Sequence, residues 1–215
     1  MDSTIKIITP ATSFDLMSLD DMKIVLGIPP ADTTQDAVIQ SQITMMSDVI
    51  ATECNRSPLD SHSWAKEKVQ ETIRDLDSRR VYLSHWPVKE DDIETVECPI
   101  GTPYPDGGWE LEETSGKLSL YAGQPEPISV IYTGGYDLPD GAPPALRAAC
   151  EIMVRSYRMW EQRQATAGIR SISHKEARVM FFDPNVMLKQ TGSTPLATAG
   201  QTVKDLLYHY MRFWV

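Results

Sequence analysis

Cysteine is scarce in this chain of 215 residues: Cys54, Cys98 and Cys150 stand far apart, and no Cys-x-x-Cys occurs. That spacing argues against a disulfide scaffold, and the three thiols read as small apolar side chains in a reducing compartment. Histidine is as sparse. His62, His85, His174 and His209 are scattered, so they offer no structural zinc site. Positive charge is in deficit, with 20 Lys and Arg against 30 Asp and Glu and a formal charge of -10. General affinity for nucleic acid needs many phosphate-neutralising cations, so that class is disfavoured, although Arg147 to Arg178 is richer in arginine than the rest. Nowhere do eighteen largely apolar residues run together, which argues against a helical membrane span. The opening MDSTIKIITP is too short and too polar for a signal peptide, so the chain is expected to be made in a cytoplasm.

What the chain does have is apolar side chain enough for one core. Hydrophobic residues make up 41% of it, and its length fits one large domain or one domain with appendages. The organising stretch is Pro143 to Trp160, PPALRAACEIMVRSYRMW. Leu146, Ala149, Met153, Tyr157 and Trp160 recur at three- and four-residue spacings, the period of a helix with a single apolar seam. Pro144 suits its first turn, where a missing amide hydrogen costs nothing. Arg147, Arg155 and Arg158 fall away from the seam.

Earlier in the chain, Thr4 to Ile8 reads as a short strand stopped by Pro10. Ser18 to Leu26 reads as a short helix, with Ser18 and Asp21 as a capping pair and Gly27 at its end. A longer helix follows, with Thr33 and Asp36 as its capping pair and Ile39, Ile43, Met46, Ile50 and Cys54 as its buried stripe. A third helix is expected from about Ser63 to Leu76, with Val69, Ile73 and Leu76 facing inward. From Arg79 the period changes to two. RRVYLSHWPV, IETVEC, Trp109 to Leu111, Lys117 to Tyr121 and Ile128 to Tyr132 are strand candidates. Residues 169–188 alternate weakly, and 190–201 reads as a flexible linker. A last helix carries Val203, Leu206, Leu207, Tyr210 and Trp214. The fold expected is therefore mainly α. A core domain of residues 1–168 forms a helical bundle with a small antiparallel β region inserted at about 79–132. Residues 169–215 form a flexible C-terminal arm ending in a short helix.

Catalytic chemistry has little to stand on. His174 follows Ser171 and Ser173, with Glu176 nearby, but sequence adjacency is not triad geometry. YTGGYDLPDG follows a strand and precedes a helix, yet it has neither glycine spacing of a phosphate cradle. A tight connection explains Gly134 and Gly135. No cofactor, catalytic or metal residue is assigned, and a calcium loop lacks its register of oxygen ligands. Interface chemistry is better supplied, because Tyr, Trp, Arg and Met are frequent anchors of protein contacts. One group of candidates is Arg147, Arg155, Arg158, Met159 and Trp160. A second is Leu207, Tyr208, Tyr210, Met211, Phe213 and Trp214, whose helix is expected to dock either back on its own domain or on a neighbouring chain.

The order of segments resembles the head-tail connector, or adaptor, family of tailed bacteriophages. The resemblance lies in SLDDMKIVLGI (Ser18 to Ile28), DAVIQSQITMMSDVIATECNR (Asp36 to Arg56), HWPVKEDDIETVE, WELEETSGKLSLY and VIYTGGYDLPDGAPPALRAACEIMVRSYRMWE (Val130 to Glu161). It implies a structural virion protein with no catalytic residues, assembled in the host cytoplasm. About a dozen copies would form a ring beneath the portal protein. The ring would extend the DNA channel and meet a stopper or tail-completion protein, and the C-terminal segment would reach toward the portal. Genomic DNA would pass without specific binding, and acidic side chains lining the channel would keep it from sticking. No membrane is involved. The alternatives are a tail-completion or stopper protein of the same neck, a small hydrolase built on His174, and a DNA-binding accessory protein using Arg147, Arg155 and Arg158.

Overall fold

Among the described residues, four helices surround one apolar core, and two antiparallel sheets enclose a second beside it. The computed structural model describes residues 3–56, 63–74, 79–105, 107–121, 127–165, 171–174, 177–180 and 201–211. In chain order the elements begin with β1 (Ser3–Thr9), α1 (Leu19–Leu26), α2 (Asp36–Glu53), β2 (Glu67–Ile73) and β3 (Arg80–Tyr82). A 3-10 turn at Glu90–Asp92 leads into β4 (Ile93–Glu97), followed by β5 (Trp109–Glu112), β6 (Lys117–Leu120) and β7 (Ile128–Gly134). The chain continues with α3 (Pro144–Ala165), β8 (Ser171–His174), β9 (Ala177–Met180), α4 (Gln201–Leu207) and a 3-10 turn at Tyr208–Tyr210. The result is a mixed α/β fold in which a helical bundle carries an antiparallel β region and a C-terminal helix.

The helices form for the reasons their sequences give. At the start of α1 the Ser18 hydroxyl accepts from the Asp21 amide at 3.2 Å, and Gly27 ends the helix in the left-handed region at φ 71°, where a Cβ would be strained. In α2, Ile39, Ile43, Met46 and Ile50 are buried, and Cys54 follows at its end. In α3 the buried seam is Leu146, Ala149, Cys150, Met153 and Val154, with Pro144 as first residue. The capping pair expected for α2 does not form. Gln35 occupies the cap position without a side-chain bond. Asp36 instead accepts from the buried Lys23 ammonium at 2.8 Å, and Lys23 also reaches the Pro30 carbonyl at 3.0 Å. A carboxylate in a first turn is favoured by the helix dipole, and here it also supplies the counter-charge that a buried lysine requires.

Two expectations are corrected. The helix expected from Ser63 to Leu76 is strand β2, with Glu67, Val69, Glu71 and Ile73 inward and Lys68, Gln70 and Thr72 outward. Val69 and Ile73 are four apart, which suits either period. The glutamates between and before them concealed the alternation, because two inward positions carry charge. Leu76 lies outside the described residues. The last helix is also not turned away from its own chain. Val203 and Leu207 of α4 are fully buried against the core, and α4 packs on α3. The expected linker lies outside the described residues except for Gln201, which opens α4.

The larger sheet has strand order β1-β2-β7-β4 and the smaller β3-β6-β5, and β8 and β9 form a hairpin of their own. Val69, Ile73, Val130 and Tyr132 of the larger sheet meet Val81, Leu118 and Leu120 of the smaller in the second core. At the end of β7 the chain runs between two others. Gly135 N–H donates to the Pro87 carbonyl at 2.9 Å, and Tyr136 exchanges backbone bonds with Trp64 and Lys66 at 2.7 Å. A Cβ on Gly134 would collide with the His85 carbonyl, and one on Gly135, at φ 104°, with the Ala65 carbonyl. The glycine pair is there for close backbone approach. No helix among the described residues is long and apolar enough to cross a membrane.

Candidate functional site

The densest polar cluster sits where the two cores meet, and it is sealed. Glu71 on β2 accepts from the Ser84 amide at 2.9 Å, the Ser84 hydroxyl at 2.6 Å and the Tyr132 phenol at 2.6 Å. Glu67, four residues earlier on the same face, accepts from the Ala11 amide at 3.2 Å and meets His85 Nε2 at 3.1 Å. The Tyr132 oxygen accepts in turn from the His85 amide at 3.0 Å. Arg56, just past α2, donates to the Ser84 carbonyl at 2.6 Å and lies 4.4 Å from the centre of the Trp86 ring, a cation–π contact. All of these groups except Trp86 and Ala11 are buried. Burial and the adjacent Glu71 carboxylate push the Tyr132 phenol well above its ordinary value.

This cluster holds a serine, a histidine and two carboxylates, but it is not a nucleophilic site. The Ser84 hydroxyl donates to Glu71, His85 Nε2 meets Glu67, and all four side chains are buried. Its work is to fasten the sheet to the end of α2 through hydrogen bonds among buried groups, with His85 Nδ1 left without a hydrogen-bond partner among the described residues. Its sequence signal was Glu67 and Glu71, four residues apart on the inward face of β2, in a segment expected to be helical. No group of three or more His, Cys, Asp and Glu among the described residues is placed to hold a metal ion.

The first set of interface candidates divides. Arg147 forms a 2.6 Å ion pair with Asp21. Arg155 pairs with Glu151 at 2.9 Å and donates to the Val25 carbonyl at 2.7 Å. Arg158 donates to Gln35 and Gln42 of the α2 region. All three arginines therefore clamp helices together within the chain and do not form an open stripe for phosphates. Trp160 is half-buried and stacks obliquely on Tyr157 with ring centres 5.7 Å apart. Met159 stands 52% exposed, and Arg155 of the same set is exposed as well.

The second set divides similarly. Leu207 is buried, Tyr210 and Met211 pack against the helical core, and Tyr208 is exposed, edge-on to His209. Phe213 and Trp214 lie outside the described residues. His174 belongs to β8 and Ser171 and Ser173 to the same strand, but their side chains and Glu176 lie outside them too.

The open surface that sequence reading missed is on α2. Phe14, Met45 and Trp64 line a groove of about 810 Å³, with Ala51 at its base and Asp15 and Asp48 beside it. Met45 also belongs to a second apolar stripe on α2, with Val38 and Val49, outside the buried one and apart from the groove lining. Those three are all partly exposed in the folded chain.

The model of a family described as phage gp6-like head-tail connector proteins matches residues 16–82, which span α1, α2, β2 and β3. No protein of curated function matches the sequence. Among solved structures, a chain of the virion of a native gene transfer agent particle matches with TM-score 0.53 and 14% identity, over 99% of this chain and 97% of that one. A chain from the neck of an empty gene transfer agent particle, computed with C6 symmetry, matches with TM-score 0.53 and 13% identity over the same shares. At such identity the likeness establishes the fold. The chain thus has the fold of a gene transfer agent particle component along its whole length, and its first helices and following strands resemble the phage head-tail connector family.

Proposed function

We propose that this chain is a structural component of a phage-type neck, a head-tail connector that joins the capsid to the tail and is not an enzyme. The observation that carries the reading is the coincidence of two independent likenesses. Residues 16–82 match a connector family, and the whole chain follows a chain found in the neck of a gene transfer agent particle. In this reading copies of the chain form a ring between the portal protein and a stopper or tail-completion protein, in the virion. DNA passes through the ring without specific binding. The physical features fit: the charge of the chain is invested in internal clamps, its polar cluster is sealed, and its net charge of -10 repels a polyanion.

The test is genetic and visual. The gene is removed from its parent element and the particles are imaged. Filled capsids and separate tails, rejoined when the intact chain is supplied, are the expected result. Normal tailed particles without it would overturn the reading.

A further inference from the structure

An open sheet has edges, and an edge strand turns about half of its backbone N–H and C=O groups away from its one neighbour. Three of the four edges of the two larger sheets are blunted. β4 is covered: Tyr104 N–H donates to the Val96 carbonyl at 2.8 Å and Cys98 N–H to the Thr102 carbonyl at 3.0 Å, so the 102–104 segment lies along it. β3 is only three residues long, and β5 carries the exposed carboxylates of Glu110 and Glu112. Short or charged edge strands discourage further pairing.

β1 is the exception. It runs for seven residues beside β2, and no described strand pairs with its other side. Pro10, which has no N–H to offer a ladder, follows it. Ile5 and Ile7 are half-buried against the second core, so that core is left open along this strand. Thr4, Lys6 and Ile8 are exposed, Ile8 at 44%. Lys6 makes no ion pair among the described residues.

We propose that the free edge of β1 docks an extended, acidic segment of a different protein, which joins the larger sheet as an added strand. The edge itself fixes the chemistry of its occupant. Only extended backbone matches a row of alternating donors and acceptors. Every second side chain of the added strand falls on the Ile5 and Ile7 side and must be apolar. Those between fall beside Thr4, Lys6 and Ile8, where a carboxylate opposite Lys6 is favoured. A second copy of β1 fails this last condition. Paired antiparallel over its full length it would set Lys6 against Lys6, and like charges directly opposite destabilise a strand pair. The assignment stands apart from the connector reading, since nothing in it depends on a ring.

The experiment titrates the full chain with the peptide Val-Thr-Val-Glu-Val-Thr-Val and follows amide exchange. The peptide should slow exchange at alternate residues of β1 and leave β4 unchanged. Replacing its Glu by Lys should weaken binding about tenfold. The exposed substitution Lys6→Glu, with folding checked by circular dichroism, should reverse that preference. Two versions of the peptide methylated on alternate backbone nitrogens test the mode. The one blocked on the side facing β1 should lose binding, and the other should keep it. Equal binding by both means side-chain contact without a ladder and overturns the proposal, as does a peptide that fails to protect β1 at its solubility limit. Protection of β1 that grows with protein concentration in the absence of peptide gives the edge to a second copy and overturns it as well. None of these outcomes touches the connector reading, which stands or falls on whether capsids lacking the chain still acquire tails.

Discussion

The Tyr132 phenol donates a 2.6 Å hydrogen bond to Glu71 in a place where both side chains are buried. The same phenol oxygen accepts the His85 amide, so one hydroxyl serves two groups that have no water to turn to. Removing it in Tyr132→Phe leaves a buried carboxylate short of a donor and a buried amide short of an acceptor. Bonds to charged groups and orphaned buried groups each cost about 1–3 kcal/mol. The variant should lose about 3 kcal/mol, read as a lowered urea midpoint at unchanged slope. An unchanged midpoint would show that the phenol is dispensable to the cluster.

Gly134→Ala should be worse. The added methyl would meet the His85 carbonyl oxygen, a backbone atom that cannot rotate away. Relief requires moving the His85 segment off β7, and that segment carries Ser84 and His85 of the sealed cluster. Overpacking of this kind costs about 1–3 kcal/mol where side chains can yield, and more is expected here because backbone must shift. The measurement is soluble yield and thermal midpoint against Ala142→Gly as a control outside β7.

The two glycines illustrate what was legible in the sequence and what was not. That they mark a tight connection could be read directly, and so could α1, α2 and α3, whose core positions repeat at helical spacing on otherwise polar segments. β2 could not. Its inward face is Glu67, Val69, Glu71 and Ile73, and alternation is recognised by apolar side chains. Only partners distant in sequence, Ser84, His85 and Tyr132, make inward glutamates tolerable. The groove was hidden for a related reason: Phe14 and Trp64 reach it from two separate loops, and spacing along α2 says nothing of either.

Alkaline pH should weaken the fold in a defined window. Burial pushes the Cys54 and Cys150 thiols from 9.0 up to about 12. In the unfolded chain they lose their protons near 9.0. Between these values the folded state binds more protons than the unfolded state, so stability falls as pH rises, and it is unaffected by the thiols below 9.0. Each thiol contributes at most about 1.4 kcal/mol per pH unit, and the raised Tyr132 phenol acts in the same direction at higher pH. Urea titrations at neutral pH and above pH 9.0 should show the decline, and Cys54→Ala with Cys150→Ala should make it shallower. At neutral pH a thiol reagent should modify the half-buried Cys98 well before the other two.

The position of α4 gives the last expectation. Val203 and Leu207 are fully buried on α3 within the chain's own core. Leu207→Ala should therefore destabilise the isolated chain by about 3 kcal/mol, the range for a buried leucine that leaves a cavity. A helix of seven residues has no stability of its own, so the substitution should also release α4, raising amide exchange in residues 201–211 ahead of global unfolding. Had the helix served only a neighbouring chain, the isolated protein would be indifferent to the change. Tyr208 supplies the contrast: it stands 61% exposed on the far side of the same segment, and Tyr208→Ala should leave the stability within about 0.5 kcal/mol of the parent. Any loss of assembly caused by Tyr208→Ala would then report a contact beyond the chain, and loss caused by Leu207→Ala would not.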